Sequence, residues 1–225
     1  MNISYIIPAA GKASRLNGIP KFLLPINNET FLLKHHLELI QNSFEDENLE
    51  ILIGTSSQNL KILKDLYPNQ KILDLTTNSM VETAMKTKEH SSFHNPIYGC
   101  IMPDTYFTDR LVHTKMFKMI HDVDAVVSVW KIKDYQIGKF GQCDINSKNR
   151  LKNVIDKDPK CKLPFFWGSL MWKNTFNQSM KADDAHFGET INRALANGLN
   201  IGVVYAEGDY FDCGTFDEYK ELLKH

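Results

Sequence analysis

Residues 5–16 read YIIPAAGKASRL, which is a short apolar run followed at once by a loop of small and basic residues. The run predicts a strand, and the small residues Ala10 and Gly11 let backbone amides approach an anion closely. The guanidinium of Arg15 can hold phosphate oxygens in a forked geometry, with Lys12 as a further cation beside it. This segment is therefore a candidate phosphate-binding loop at the end of a strand.

Two common phosphate-binding loops do not fit this segment. A dinucleotide-binding fingerprint that begins at Gly11 needs glycines where Ala13 and Leu16 stand, and a Walker loop needs a closing Gly-Lys-Ser/Thr that is absent. The stretch 20–25, PKFLLP, adds a further positive charge with Lys21. Taken alone, an ordinary turn with solvated basic residues is the better explanation of the loop.

Outward from this segment, short β-branched runs alternate with helical patterns through the first 132 residues. Strands are predicted at 5–9, 51–55, 71–75, 97–102 and 125–129, and helices are predicted to start near Thr30, Gln58, Ser79 and Asp109. Thr30 is the expected cap of the first helix. This alternation predicts an α/β fold: one Rossmann-like three-layer domain with a mostly parallel mixed sheet. In such sheets ligands bind beyond the carboxyl ends of the strands.

The pattern becomes less regular after residue 133. Shorter strands are predicted at 141–145, 151–155 and 165–171, followed by a helix at 187–197, a strand at 201–205 and a last helix that opens at Thr215 with a capping-box pattern. We expect a single nucleotidyltransferase domain over residues 1–225. Within it, residues 1–132 would form the nucleotide-binding half and residues 133–225 the acceptor-binding half.

Composition excludes several classes of protein. The 225 residues carry a formal net charge of −1, which lacks the basic footprint of a nucleic-acid binder. The four cysteines form no CxxC pair, so reduced thiols in a cytoplasmic protein are the simplest interpretation. No stretch approaches the roughly 20 apolar residues of a membrane span. We expect no nucleic-acid and no membrane partner, and a homo-oligomer remains open.

Read together, six further segments strengthen the interpretation of the loop. They are PKFLLP at 20–25, SMVETA at 79–84, MPDTYF at 102–107, VIDKDP at 154–159, FWGSL at 166–170 and FDCGT at 211–215. In this order, after the AAGKASRL segment, they resemble the sugar-phosphate nucleotidylyltransferases, which include the glucose-1-phosphate thymidylyl- and uridylyltransferases. The chain departs from the family at Ala13 and Met80, where glycine is common, at Asp156, where glutamate is usual, and at the extra Asp158.

The resemblance implies a fold of the nucleotide-diphospho-sugar transferase type, a Mg²⁺ cofactor, and a nucleoside triphosphate and a phosphorylated small molecule as partners. The implied catalytic residues are Arg15, Lys21, Asp104 and Asp212, of which Asp104 and Asp212 would bind the metal. The implied nucleotide-binding residues are Ala10, Gly11, Lys12, Arg15, Lys21 and Thr83. The implied acceptor-binding residues are Asp156, Lys157, Trp167 and Gly168.

Without the resemblance, Asp104 and Asp212 are each better explained as turn or cap residues. With it, the predicted reaction transfers a nucleoside monophosphate from the triphosphate to a sugar 1-phosphate and releases pyrophosphate. Three alternatives stay open: a cytidylyltransferase acting on phosphocholine or another non-sugar phosphate, a glycosyltransferase, and a non-catalytic relative that binds a nucleotide-sugar. The glycosyltransferase is disfavoured because residues 102–107 contain no Asp-x-Asp triplet.

Overall fold

The computed structural model describes residues 1–11 and 16–225, so Lys12 and Arg15 of the predicted loop lie outside the described residues. The strands of the described chain are β1 Asn2–Ala9, β2 Asn48–Thr55, β3 Lys71–Asp74, β4 Ile97–Ile101, β5 Thr105–Phe107, β6 Ala125–Lys131, β7 Gly141–Ile145, β8 Leu151–Asp156, β9 Phe165–Trp172, β10 Ile201–Tyr205 and β11 Tyr210–Asp212. Its α-helices are α1 Leu32–Ser43, α2 Ser57–Leu66, α3 Met80–Lys88, α4 Val112–Ile120, α5 Phe187–Ala196 and α6 Phe216–Leu223.

The central sheet has the strand order β10-β6-β9-β4-β1-β2-β3. Strands β4, β1, β2 and β3 are parallel to one another, as are β10 and β6. Strand β9 lies between these two groups and is antiparallel to both β4 and β6. The predicted α/β fold with a mostly parallel mixed sheet is therefore confirmed, and strands from both predicted halves of the chain pair within it.

Side chains of alternate residues along β1 enter two different cores. Ile3, Tyr5 and Ile7 pack into a cluster with apolar residues of α1, α2 and α4. Ile6 packs into a second cluster with residues of α3 and α5. Because successive strand residues point to opposite faces, this division places helices on both sides of the sheet and gives three layers.

Four predicted helix starts are confirmed and two are wrong in detail. Helices α2 and α5 begin at Ser57 and Phe187, next to or at the predicted residues. The hydroxyls of Ser79 and Thr215 accept hydrogen bonds from backbone amides three residues later, at 3.0 and 3.3 Å. Thr30 does not cap α1, because an isolated bridge keeps the chain extended through Phe31 and the helix starts at Leu32 without a side-chain cap. The helix predicted near Asp109 begins at Val112 instead.

A small two-stranded sheet lies beyond the carboxyl end of β4. Its strands, β5 and β11, are antiparallel, and Asp212 is paired with Thr105 across them. The amide of Cys213 donates a hydrogen bond of 2.8 Å to the carbonyl of Asp104. This pairing brings the last segment of the chain back to the end of β4 and so positions two aspartates that are far apart in sequence.

Two further observations bear on the composition. All four cysteines are buried and free. Over residues 1–11 and 16–225, no helix combines the length and the apolar character that a bilayer crossing requires.

Candidate active site

A cleft of about 480 Å³ opens where β1 and β4 end. Five residues predicted from the sequence line this cleft: Ala10, Gly11, Lys21, Thr83 and Asp104. They come from the loop after β1, from the 3-10 turn Lys21–Leu23, from α3 and from the segment after β4. The fold therefore brings together, in one cavity, residues that the sequence places in four separate segments.

The start of α3 forms one wall of the cleft and is tightly hydrogen-bonded within itself. The Thr83 hydroxyl donates to the Ser79 carbonyl at 2.9 Å and lies 2.7 Å from the Thr77 hydroxyl. The Glu82 carboxylate accepts from the amide of Asn78 at 2.7 Å. These bonds fix the shape of the wall. Thr83 is buried, and its hydroxyl is engaged in these bonds within the wall.

An ion pair joins two of the residues predicted to be catalytic. The ammonium nitrogen of Lys21 lies 2.8 Å from Oδ2 of Asp104, and both side chains are about one-quarter exposed. Pro20 precedes the 3-10 turn that carries Lys21, and its extended backbone directs the chain into that turn. Lys21 therefore supplies a fixed positive charge at the mouth of the cleft.

Asp212 lies beside this pair, in an environment that disfavours its charge. Burial, together with the negative charges of Asp104 and Glu218, raises its pKa to about 7, against the lowering effect of Lys21. Its Oδ1 accepts one hydrogen bond, of 3.0 Å, from the amide of Gly214. Two carboxylates held together in this way are short of positive charge.

The donor set at this point fits a hard divalent cation. Magnesium prefers carboxylate, phosphate and water oxygens, and carboxylates are offered by Asp104, in the turn before β5, and by Asp212, the last residue of β11. Within residues 1–11 and 16–225, no group of three or more His, Cys, Asp or Glu side chains is placed to hold a metal. A metal held by these two aspartates would therefore need oxygens from a ligand or from water.

A second group of predicted residues gathers near the start of α5. Lys157 has a positive φ of 51°, and its ammonium nitrogen lies 3.4 Å from Nε2 of His186. Burial raises the pKa of Asp156, against the positive charges of His186 and Lys157. The segment before α5 reaches the wall of the cleft that the start of α3 forms, because the Ser79 hydroxyl donates to the Ala182 carbonyl at 3.2 Å. Asp156 and Lys157 thus lie on the side of the sheet that carries α3.

Trp167 and Gly168 belong to opposite faces of β9. The Trp167 ring packs at the side of Phe187, with ring centroids 6.2 Å apart, on the same face as Asp156. Gly168 faces the other core, where a Cβ would come within 2.5 Å of Trp130 and 2.7 Å of Tyr210. Its lack of a side chain makes room for these two rings, so packing alone accounts for a glycine at this position.

Sequence reasoning missed two residues that shape these sites. Glu218 raises the pKa of Asp212, but its place as the fourth residue of the Thr215 capping box already explained it as a helix cap. Gly188 lies against the carboxylate of Asp156, where any Cβ would overlap it. The signal was the glycine directly after Phe187, at the start of a predicted helix, where glycine is a poor helix former.

No family model and no curated protein matches this chain. Solved structures do match over nearly the whole length. A protein from Bacillus anthracis described as a glucose-1-phosphate thymidylyltransferase, in complex with sucrose, has a TM-score of 0.80 at 16% identity, covering 99% of this chain and 94% of its own.

Two further solved structures have the same fold. UTP-bound UGPase from Acinetobacter baumannii has a TM-score of 0.78 at 14% identity, covering 100% of this chain and 93% of its own. The inositol-1-phosphate CTP transferase from T. maritima has a TM-score of 0.78 at 12% identity, with coverage of 100% and 95%. At these identities the likeness establishes a shared fold.

Proposed function

We propose that this protein is a magnesium-dependent nucleotidyltransferase that joins a nucleoside monophosphate, taken from a triphosphate, to the phosphate of a small phosphorylated molecule. The observation that carries the proposal is the ion pair of Lys21 and Asp104 in the wall of the cleft after β1 and β4, next to Asp212, which is paired with the residue that follows Asp104. The sequence resemblance implies a sugar 1-phosphate as acceptor. A cytoplasmic setting belongs to the same proposal and is supported by the four free cysteines.

The proposed reaction is an in-line displacement at the α-phosphorus. An oxygen of the acceptor phosphate forms a bond to the α-phosphorus, and the bond from that phosphorus to the bridging oxygen breaks, so pyrophosphate leaves with the electron pair. The attacking phosphate is already ionised at neutral pH, so no general base is required. The main obstacle is the repulsion between two anions, which positioned positive charges reduce.

In this proposal the residues of the cleft position the nucleotide and neutralise its charge. Gly11 leaves space for close backbone approach, since no atom of residues 1–11 and 16–225 lies within 4 Å of the point where its Cβ would stand. Lys21 contacts the α-phosphate region. Asp104 and Asp212 hold a magnesium ion, which supplies positive charge to the nucleotide phosphates when it is bound. Arg15 would contact the triphosphate, as the resemblance implies.

The acceptor half supplies the second set of contacts. Lys157 holds the acceptor phosphate, with His186 beside it as a further positive or hydrogen-bonding group. Asp156 and Trp167 lie on the same face of the sheet and contribute to the acceptor pocket. Gly168 acts indirectly, by leaving room for the Tyr210 ring.

The test is pyrophosphate release from each of the common nucleoside triphosphates combined with a series of phosphorylated acceptors, with magnesium and with a chelator. Asp104→Asn and Asp212→Asn should each lower turnover about a hundredfold, the effect of losing about 3 kcal/mol of transition-state stabilisation. Asp144→Asn is the matched control, because Asp144 forms a similar pair with Lys152 on the exposed surface.

Thermal melting of each variant shows whether the fold survives the substitution. Near-wild-type pyrophosphate release from either site variant would defeat the assignment. Nucleotide-sugar binding without any magnesium-dependent turnover would instead favour a non-catalytic binding protein.

A further inference from the structure

A second cavity, of about 270 Å³, lies between the turn at residues 134–140 and α6. Four aromatic side chains contribute to its walls: Tyr135, Phe140, Tyr210 and Phe211. Sites for drug-sized ligands usually occupy roughly 300–1,000 Å³, so this cavity suits a small head group. Aromatic rings around a space of this size favour either a flat apolar group or a cation, because the face of a ring carries partial negative charge.

The charges around the cavity distinguish between these two occupants. Four carboxylates line it, those of Asp212, Asp217, Glu218 and Glu221, against the single lysine Lys139 among the described residues. With Asp212 engaged by a metal, three carboxylates would still face one lysine. A neutral polyol or an anion gains little from such a surplus, whereas an ammonium group is attracted both by the carboxylates and by the rings.

The protein already places an ammonium group in this setting. The side-chain nitrogen of Lys139 lies 6.0 Å from the centroid of the Tyr135 ring and 3.0 Å from Oε1 of Glu218. The pair is solvent-exposed, with about 44% of the Lys139 side chain accessible, so Lys139 can move aside at little cost. The same ring and carboxylate could then receive a cation from a ligand.

The cavity adjoins both parts of the proposed active site. Asp212 lies in its wall, and the backbone of Asp212 is paired with Thr105, the residue after Asp104. On the opposite side, the Phe140 carbonyl accepts a hydrogen bond of 3.3 Å from the amide of Lys157. Only the backbone of Lys157 lies next to the cavity wall, since its ammonium lies beside His186. A ligand with its head group in this cavity would therefore have its other end near Asp212 and Asp104.

We propose that this cavity binds the cationic head group of the acceptor, and that the acceptor is a phosphorylated amino alcohol. The inference rests on the proposed nucleotidyl transfer and replaces the sugar 1-phosphate with a phosphate ester that carries an ammonium group. The ammonium lies against Tyr135 and Glu218, and the phosphate at the other end attacks the α-phosphorus as described above. The bonds formed and broken are unchanged, and the ammonium keeps its protons or methyl groups throughout.

The first experiment compares acceptors. Pyrophosphate release is measured with phosphocholine, phosphoethanolamine, glucose 1-phosphate and 3,3-dimethylbutyl phosphate, each with every common triphosphate. The last compound has the shape of phosphocholine with a carbon in place of the charged nitrogen. We expect turnover with an amino-alcohol phosphate and a KM about tenfold higher for the uncharged analogue, the scale of a partly desolvated cation–aromatic contact.

The second experiment tests the cavity itself. Tyr135→Leu should raise the KM for the amino-alcohol phosphate about tenfold without changing the KM for the triphosphate, and Tyr135→Phe should retain the wild-type KM. Tyr205→Leu is the matched control, because Tyr205 is a similarly exposed tyrosine that packs against Phe165 on another part of the sheet. Binding of choline alone to the wild-type protein and to Tyr135→Leu is measured by calorimetry.

The outcomes separate this inference from the proposed function. Turnover confined to sugar 1-phosphates would overturn the inference and leave nucleotidyl transfer intact. An equal KM for phosphocholine and its uncharged analogue would overturn the recognition of charge. Absence of pyrophosphate with every pair would defeat the proposed function and the acceptor role with it. Absence of choline binding to the wild-type protein would overturn the cation site whatever the activity.

Discussion

Two buried histidines behind the site are expected to make the fold sensitive to acid. Nε2 of His36 donates to the Thr105 carbonyl at 2.7 Å, and Nδ1 of His113 lies 2.9 Å from the Tyr5 hydroxyl. Both rings are buried. Burial, together with the nearby His35, lowers the pKa of each to about 3, so both rings are neutral in the folded protein.

The sign and size of the effect follow from these pKa values. An unfolded histidine takes up a proton below about pH 6.5, whereas the folded pair does so only near pH 3. Stability is therefore lost as the pH falls from about 6.5 toward 3. A pH of about 5 lies about 1.5 units below the pKa of an unfolded histidine. Protonation therefore stabilises the unfolded state by about 2 kcal/mol for each histidine. Asp212, whose pKa is raised, acts in the opposite direction over part of this range, so the histidine contribution must be isolated by substitution.

The substitutions replace each ring with an amide that keeps the relevant hydrogen-bonding atom. His36→Gln retains a donor toward Thr105, and His113→Asn retains an acceptor toward Tyr5. Urea unfolding at about pH 7.5 and about pH 5 gives the change in unfolding free energy for each protein. Each variant should lose about 2 kcal/mol less than the wild type over this interval. The exposed His94→Gln serves as the control.

A constant offset between wild type and variant at both pH values would refute the reasoning. It would mean that the rings cost the same to bury at either pH, and therefore that they are already protonated or that their protons are not linked to folding. If only one variant differs from the wild type by less than this amount, the loss of unfolding free energy at low pH comes mainly from the histidine that this variant retains.

Two glycine substitutions test the packing around the acceptor side. Gly168→Ala should lower the free energy of unfolding by about 1–3 kcal/mol in urea, because the added carbon meets the buried rings of Trp130 and Tyr210; an unchanged midpoint would contradict this. Gly188→Ala forces a methyl group onto the Asp156 carboxylate, so steady-state kinetics should show a higher KM for the acceptor and an unaltered KM for the triphosphate. Equal KM values for the acceptor would place Asp156 outside the acceptor pocket.

Most of the fold could be predicted because its signals are local. The strands Gly141–Ile145 and Ile201–Tyr205 appear with the predicted bounds, and the Ser79 and Thr215 caps form as their sequence spacing indicates. The start of α4 was misplaced for a local reason of another kind. The Asp109 carboxylate accepts a hydrogen bond from the Leu111 amide at 2.9 Å, which makes a turn before the helix rather than its first residue.

The site was less predictable because its parts meet through tertiary structure. Strands β5 and β11 have three residues each, too few for a period to be recognised, and only their pairing brings Asp212 beside Asp104. The family resemblance supplied this pair, and residue patterns alone favoured turns and caps. The cavity beside α6 gave no signal at all, since its rings and carboxylates come from separate segments that each have an ordinary structural explanation.

The closeness of Asp104 and Asp212 lowers the stability of the folded protein. Burial and the charge of Asp104 both oppose ionisation of Asp212, while one lysine and one backbone amide favour it. A sequence under selection for stability alone would replace one of the two with a neutral residue, since removing one of two like charges relieves their repulsion. Local choices that conflict with stability are expected where a ligand removes the conflict on binding. A cation shared with nucleotide phosphates would do so at this position, and for that reason the pair supports the proposed chemistry more strongly than either aspartate does alone.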